Sequence, residues 1–547
     1  MSTNVVNLDA LIPRDDFAVD DGPQRSTSVD RISIAHLDAH YFASDLRKPD
    51  FQRETVQWTP AKVVDLIRSF LDADLIPAVI LWRAGRSIFV IDGAHRLSAL
   101  LAWIKDDYGD RKTSLDFCGG YISDDQRRVA ERTRDLVQKS VGTYAQYQAY
   151  KNNRNAAPAD IQQRLSNLAD NSIIAQWVPT TDTKSAENSF FKINQSATPI
   201  DPTERRILRA RDSASAIASR AITHAGAGHS YWRKFDASKT VAIEALGKET
   251  YAALYDPPIG ETPLKTLDVP IAGRGYNALP FVFDLVNLAN DVKVQDTTAK
   301  KDIRDQLPPD PDGDATLSYL KAVKRRVQRL TGDHAMSLGV HPVVYFYTRS
   351  GMFQPTALLA TSQLLEWMVA RHKLVDFIKI RRSFEAFLIE HKEAMSLILH
   401  KFGSGERSLP WLTLYYQTVV CGLWEGKGGD RIQSDFSADG DFAFLTLPRP
   451  TGTRPGSTKS KQAFSTGTKT ATFIATALAS GTRCYLCGAH VHRNSIQFDH
   501  AVDLKTGGTS DMRNARVAHP YCNSVKDHLT DLNLAVETGA VVAASET

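Results

Sequence analysis

The chain has 547 residues, too many for one hydrophobic core, so two to four domains are expected. Its 42% hydrophobic and 23% charged residues are those of an ordinary soluble protein, and its five cysteines do not make a disulfide framework. No apolar run is long enough to span a bilayer, and the acidic start from Met1 to Asp21 lacks a signal pattern, so a cytoplasmic protein without a membrane partner is expected. The net charge of +4 is unevenly spread: Arg449 to Asp527 holds eleven Lys or Arg against four Asp and no Glu. A polyanion bound through charge would meet that C-terminal part.

Residues 1–30 mix Pro, Asp, Ser and Thr without periodicity and are expected to form a mobile leader. Order is expected to begin near Ile32. Thr59 can cap a helix with Pro60 at its first position, and Val63, Val64, Ile67, Phe70 and Leu71 recur at helical spacing. Ala78 to Trp82 reads as a strand, Gly85-Arg86 as a turn and Ser87 to Ile91 as a second strand. Asp92-Gly93-Ala94-His95-Arg96 then leads into a helix with Leu97, Leu100, Leu101 and Ile104 on its buried side. A strand that ends in Asp-Gly and turns into a helix presents free N–H groups and the positive end of the helix dipole. With His95 and Arg96 on the first turn, a phosphate would bind there readily. A purely structural role fits the same residues, with Gly93 making the turn and Arg96 pairing with an internal acid.

Phe51-Gln52-Arg53, Trp58, Ile76-Pro77 and the run Ile91 to Leu100 resemble the N-terminal domain of GmrSD-type modification-dependent restriction enzymes, a ParB/sulfiredoxin-like fold. Phe191 to Asn194, then Pro199, Asp201 and Glu204, resemble the same family's later segment, so scattered motifs cover roughly Ile32 to Leu208. The resemblance implies a nucleoside triphosphate held by Gln52, Arg53, Asp92, Gly93, His95 and Arg96. Many members carry glutamine where this chain has Ala94, which makes hydrolysis a separate question from binding. Sulfiredoxin-type redox chemistry needs a cysteine in this motif, and none is there.

From about Thr203 to Phe402 the pattern is mainly helical, with Thr203 to Thr223, Ala315 to Leu330, Thr356 to Ala370 and Leu374 to Lys401 as candidates. The basic runs Lys324 to Arg326 and Lys379 to Arg382 suit solvated helix faces better than DNA contacts. Asp310 to Asp314 reads as a turn in which Asp314 caps the next helix, because the late glutamate of a calcium loop is missing. Cys118 and Cys421 stand alone. Leu447 to Lys469, rich in Pro, Gly, Ser and Thr with five basic residues and no acid, reads as a cationic linker, and Ala471 to Ala479 as a short helix after it.

Cys484-Tyr-Leu-Cys487 followed by Gly488 is a zinc-knuckle turn in which glycine would let backbone N–H groups point at the sulfurs. His519 and Cys522 supply the second pair, so Cys484, Cys487, His519 and Cys522 make a closed tetrahedral, structural zinc site. His490 and His492, three and five residues past Cys487, are weaker candidates for the nitrogen ligand. Between the pairs, Asp499-His500, Gly507-Gly508 and Asn514, then Asn523 and Lys526 after Cys522, resemble the HNH, or ββα-metal, endonucleases throughout about 45 residues. That resemblance makes His500 the general base, a task that imidazole chemistry suits. It makes Asp499 and Asn523 the ligands of a catalytic cation, magnesium or alternatively manganese, and Asn514 the residue that braces the loop and orients His500. Lys526 and Arg516 would hold neighbouring DNA phosphates. Asn523 stands where the family name implies histidine, and His519 replaces the usual third cysteine.

The expected architecture is therefore α+β and multidomain. Its parts are a leader (1–30), a ParB-like nucleotide-binding domain (31–205), a mainly helical domain (206–447), a linker (448–470), a zinc-stapled HNH domain (471–535) and a tail (536–547). The function expected is a metal-dependent DNA endonuclease, type IV-like and modification-sensing, active against phage DNA and regulated by nucleotide at its front domain. Two alternatives remain at this point: a ParB-like DNA-binding regulator with a non-cutting zinc module, and a mobile-element HNH nicking enzyme. Whether the chain forms homo-oligomers is left open.

Overall fold

Alternation along two adjacent strands organises the front of the chain. The computed structural model describes residues 5–15, 17, 29–49, 58–117, 122, 124–179, 185–186, 189, 202–226, 230–259, 263–273, 278–293, 307–403, 405–445 and 464–529. The chain divides into two units. The first is built mainly from residues before Asp212, and the second mainly from Asp212 onward.

Among the described residues the first unit holds six strands: β1 (Arg14–Asp15), β2 (Arg31–Ile32), β3 (Leu46–Pro49), β4 (Val79–Ala84), β5 (Ser87–Asp92) and β6 (Ile173–Trp177), in the order β1-β3-β5-β4-β6-β2. β4 and β5 form an antiparallel hairpin, while β1–β3, β3–β5 and β4–β6 are parallel. Both faces of this hairpin are covered, so its strands read as near-continuous apolar runs. Val79, Leu81, Ile88 and Val90 join the large core with Leu97, Leu100 and Leu101. Trp82, Ala84, Phe89 and Ile91 form a second cluster with Phe17. Helix α1 (Pro60–Leu71) starts as the sequence predicts, with the Thr59 hydroxyl accepting from the Lys62 N–H. Helix α2 (Ala94–Lys105) follows Gly93, whose φ of +98° and contact with Val79 leave no room for a Cβ.

The expectation of a mobile leader fails over its first part. Val6, Leu8, Leu11 and Ile12 lie in the main core and Phe17 in the second cluster. The polar composition hid these spaced apolar residues, and it hid a charge pair as well. Asp9 is buried and takes the Lys48 ammonium at 2.6 Å and the Arg14 guanidinium at 3.0 Å. Burial alone would raise the Asp9 carboxyl, but Arg14 and Lys48 hold it well below the usual carboxylate range.

The second unit is mainly helical. The four predicted helical stretches are present, two of them interrupted: Thr203 to Thr223 breaks into Pro202–Arg209 and Ala214–Thr223, and Leu374 to Lys401 into Leu374–Glu390 and Glu393–Phe402. Helix α3 (Asp314–Leu330) is capped differently from the expectation. Asp310, not Asp314, accepts from the Gly313 and Thr316 N–H groups, because its buried carboxylate lies under the first turn. The helix expected after the linker spans Thr466–Ala479, and the linker itself lies outside the described residues except at its last positions. The residues expected as a separate nuclease domain fold within this same unit. No helix among the described residues is long and apolar enough to cross a membrane.

Candidate active site and zinc staple

Strands β7 (Gln497–His500) and β8 (Ala515–Ala518) pair antiparallel, and helix α5 (Pro520–Ser524) packs on β7; helix α4 (Leu374–Glu390) comes from the helical part of the unit. This ββα hairpin begins and ends on the predicted metal quartet. Cys484, Cys487, His519 and Cys522 are all buried, with their ligand atoms within 4.8 Å of one another. His519 Nδ1 lies 3.4 Å from Cys487 Sγ and 3.8 Å from Cys522 Sγ. His519 Nε2 faces the His490 carbonyl at 3.0 Å, which fixes the tautomer that leaves Nδ1 for a metal. Burial raises the Cys487 thiol and the hydrogen bond with Cys484 raises that of Cys522, while hydrogen bonds from Cys487 and Cys522 lower that of Cys484. Three sulfurs and one imidazole nitrogen at this spacing fit zinc, with no position left for water.

His490 and His492 are outside the quartet. Their rings pack edge-on against buried His341, at 5.8 and 5.7 Å between centroids. Gly488 takes a φ of +68°, and its own N–H donates to the Cys484 carbonyl at 2.8 Å and closes the knuckle.

Two fully buried residues of α4 hold this staple. Arg381 lies 3.3 Å from His519 Nδ1 and donates to the carbonyls of Leu338 and Gly339. Glu385 takes Arg381 Nε at 3.1 Å, the Tyr345 hydroxyl at 3.1 Å and the His490 N–H at 2.8 Å. The sequence placed Arg381 in the basic run Lys379 to Arg382 on a solvated face, whereas its side chain is fully buried against Glu385.

The catalytic candidates divide between the faces of β7. Alternation places Phe498 and His500 on one face and Gln497 and Asp499 on the other, toward α5. Phe498 is exposed and His500 is half-buried. Asp499 is buried, and its Oδ1 accepts from the His500 N–H and the Lys526 ammonium, each at 2.9 Å. Its Oδ2 accepts from the Tyr485 hydroxyl. Burial alone would raise the Asp499 carboxyl, but Tyr485 and Lys526 outweigh it and hold the group below its ordinary value. Asn523 donates its amide N–H to Gln497 Oε1 at 3.0 Å, and its own carbonyl oxygen has no partner among the described residues. A carboxylate and an amide oxygen suit a hard divalent cation.

Asn514 braces the loop between the strands. Its side chain accepts from the Val502 N–H at 2.7 Å and donates to the carbonyls of Val502 and Thr509. A Cβ on Gly508 would stand 1.9 Å from the Val502 carbonyl oxygen, so only glycine closes this loop. Of the two expected phosphate contacts, Arg516 is exposed and bonds to nearby carbonyls, while Lys526 is paired with Asp499. Sequence reading missed Tyr485. Its signal was an aromatic hydroxyl inside the metal knuckle, where a solvent-facing residue would suffice.

In the first unit, Arg96 donates to Asp92 at 2.6 Å and to the Ala78 carbonyl at 3.2 Å, the internal pairing that its spacing allowed. His95 stacks on Trp58 at 5.6 Å, and its buried Nε2 has no partner. Gln52, Arg53 and the segment around Asn194 lie outside the described residues. Burial, aided by Lys48, pushes His95 down to about 4. The imidazole is therefore neutral at pH 7, and the unfolded chain takes up its proton first as pH falls. Stability from this group is complete above pH 6.5 and is lost as pH falls from 6.5 toward 4, by up to about 3 kcal/mol. Melting followed by tryptophan fluorescence between pH 7 and 4.5 is expected to fall less steeply in His95→Gln than in wild type.

Residues 37–211 match the family model described as the GmrSD restriction endonuclease, N-terminal domain, and residues 484–528 match the HNH endonuclease. No curated protein and no solved structure matches the chain. The chain thus carries a region similar to the front domain of GmrSD restriction endonucleases and, near its end, one similar to HNH endonucleases.

Proposed function

We propose that this chain, which pairs a GmrSD-type front domain with an HNH nuclease domain, is a type IV-like restriction endonuclease that cuts modified phage DNA under nucleotide control. The carrying observation is the asymmetry of β7. Asp499 and Asn523 offer oxygen ligands on the face toward α5, and His500 stands on the other face next to exposed Phe498. A scissile phosphate at the end of this strand would meet both.

His500 would take the proton of the attacking water. A divalent cation bound by Asp499 and Asn523 would supply charge stabilisation for the phosphate and the departing 3′ oxygen. Asn514 keeps the loop after His500 in one conformation, and the exposed Arg516 can reach a flanking phosphate. The cationic surplus of the C-terminal part favours a polyanion without selecting its sequence.

Selection would then fall to the front domain. The N-terminus of α2, the unpartnered Nε2 of His95 and the flat Trp58 ring support a nucleoside triphosphate there. Phosphate binding would draw Arg96 from Asp92, so the pair becomes a gate. Arg96→Ala is expected to abolish nucleotide binding, measured calorimetrically, while Asp92→Ala, which frees Arg96, is expected to remove any nucleotide dependence of cleavage. Unchanged binding and unchanged cleavage in both variants would contradict the gate.

A further inference from the structure

Asp499 already carries a cation of the protein's own. Lys526 Nζ lies 2.9 Å from its Oδ1, where the His500 N–H also donates, and the Tyr485 hydroxyl occupies Oδ2. The Asp499 side chain is 7% exposed and that of Lys526 is 29% exposed, so the acid is fixed while the lysine stem reaches solvent. Beside it, the Asn523 carbonyl oxygen has no protein partner among the described residues. An ammonium at 2.9 Å leaves little of this carboxylate for a second positive ion, since two cations on one nearly buried oxygen repel strongly.

We propose that Lys526 is a resident cation that competes with the divalent ion for Asp499 and passes to a substrate phosphate when that ion binds. The inference rests on reading Asp499 as a cation ligand. Lysine suits the exchange because its charge sits on a flexible four-carbon stem and needs no fixed geometry. The consequence is linkage: DNA draws Lys526 away and tightens the metal site, and metal frees Lys526 for DNA. The nuclease is then poorly loaded with metal until substrate arrives.

The test is Mn2+ binding to the full-length, zinc-loaded protein, followed by electron paramagnetic resonance and calorimetry. Without DNA, Lys526→Met and Lys526→Gln should each bind Mn2+ tighter than wild type, on the order of tenfold. In a His500→Ala background, a short DNA duplex should tighten Mn2+ binding when Lys526 is present and leave it unchanged in Lys526→Met. Equal or weaker Mn2+ binding in both lysine variants overturns the role of Lys526. Mn2+ binding that is absent from wild type and from both lysine variants, or that survives Asp499→Asn unchanged, overturns the cation-site reading itself and this inference with it.

Discussion

His500→Ala is expected to slow DNA cleavage by about 10²- to 10⁴-fold, the usual contribution of a positioned general base. The zinc content, the melting behaviour and DNA binding should stay close to wild type. The reason lies in how His500 is held. Its backbone N–H is tied to Asp499 and the loop after it is clamped by Asn514 through Val502, so the backbone does not depend on the imidazole. The ring is half-buried at the end of β7 and carries none of the staple's contacts. Single-turnover cleavage of a labelled duplex separates chemistry from binding. A His500→Ala protein that cuts at the wild-type rate removes His500 from the chemistry.

Glu385→Ala is expected to destabilise the second unit by about 3–5 kcal/mol, because it leaves Arg381 as a buried charge without its acid. Both side chains are fully buried, and the carboxylate also takes the Tyr345 hydroxyl and the His490 N–H. Those contacts run from α4 into the zinc knuckle, so the same change should speed zinc release to a chromogenic chelator. Glu385→Gln, which keeps the shape and loses the charge, should fall between wild type and Glu385→Ala. A loss below about 1 kcal/mol with unchanged zinc release would mean that the staple stands without α4. The nuclease hairpin is therefore built into the helical unit as a fixed part, although the sequence suggested a module on a tether.

What the sequence made legible was local. Cys484, Cys487, His519 and Cys522 were readable because tetrahedral coordination imposes short, fixed spacings on each pair. Helix α1 was readable because Thr59 and Pro60 act within its first turn, and the strand-turn-helix around Gly93 because its apolar periods and its glycine are equally local. Long-range pairs left no such trace. Asp9 and Lys48 are 39 residues apart, Glu385 and His490 are 105 apart, and Arg381 and His519 are 138 apart. Each partner looked like an ordinary polar residue of its own segment. Lys526 was recognised as cationic and assigned to DNA, whereas its partner in the folded chain is Asp499. Only the fold reveals that competition.

On the proposed function, one polypeptide senses modified DNA and cuts it. The direct measurement is to incubate the purified protein with plain and modified phage DNA, with Mg2+, with and without each nucleoside triphosphate, and to resolve the products. Fragments are expected from modified DNA that depend on both Mg2+ and a nucleotide and that disappear in His500→Ala. Cleavage indifferent to modification and nucleotide, or DNA bound without any product, would contradict the proposed function.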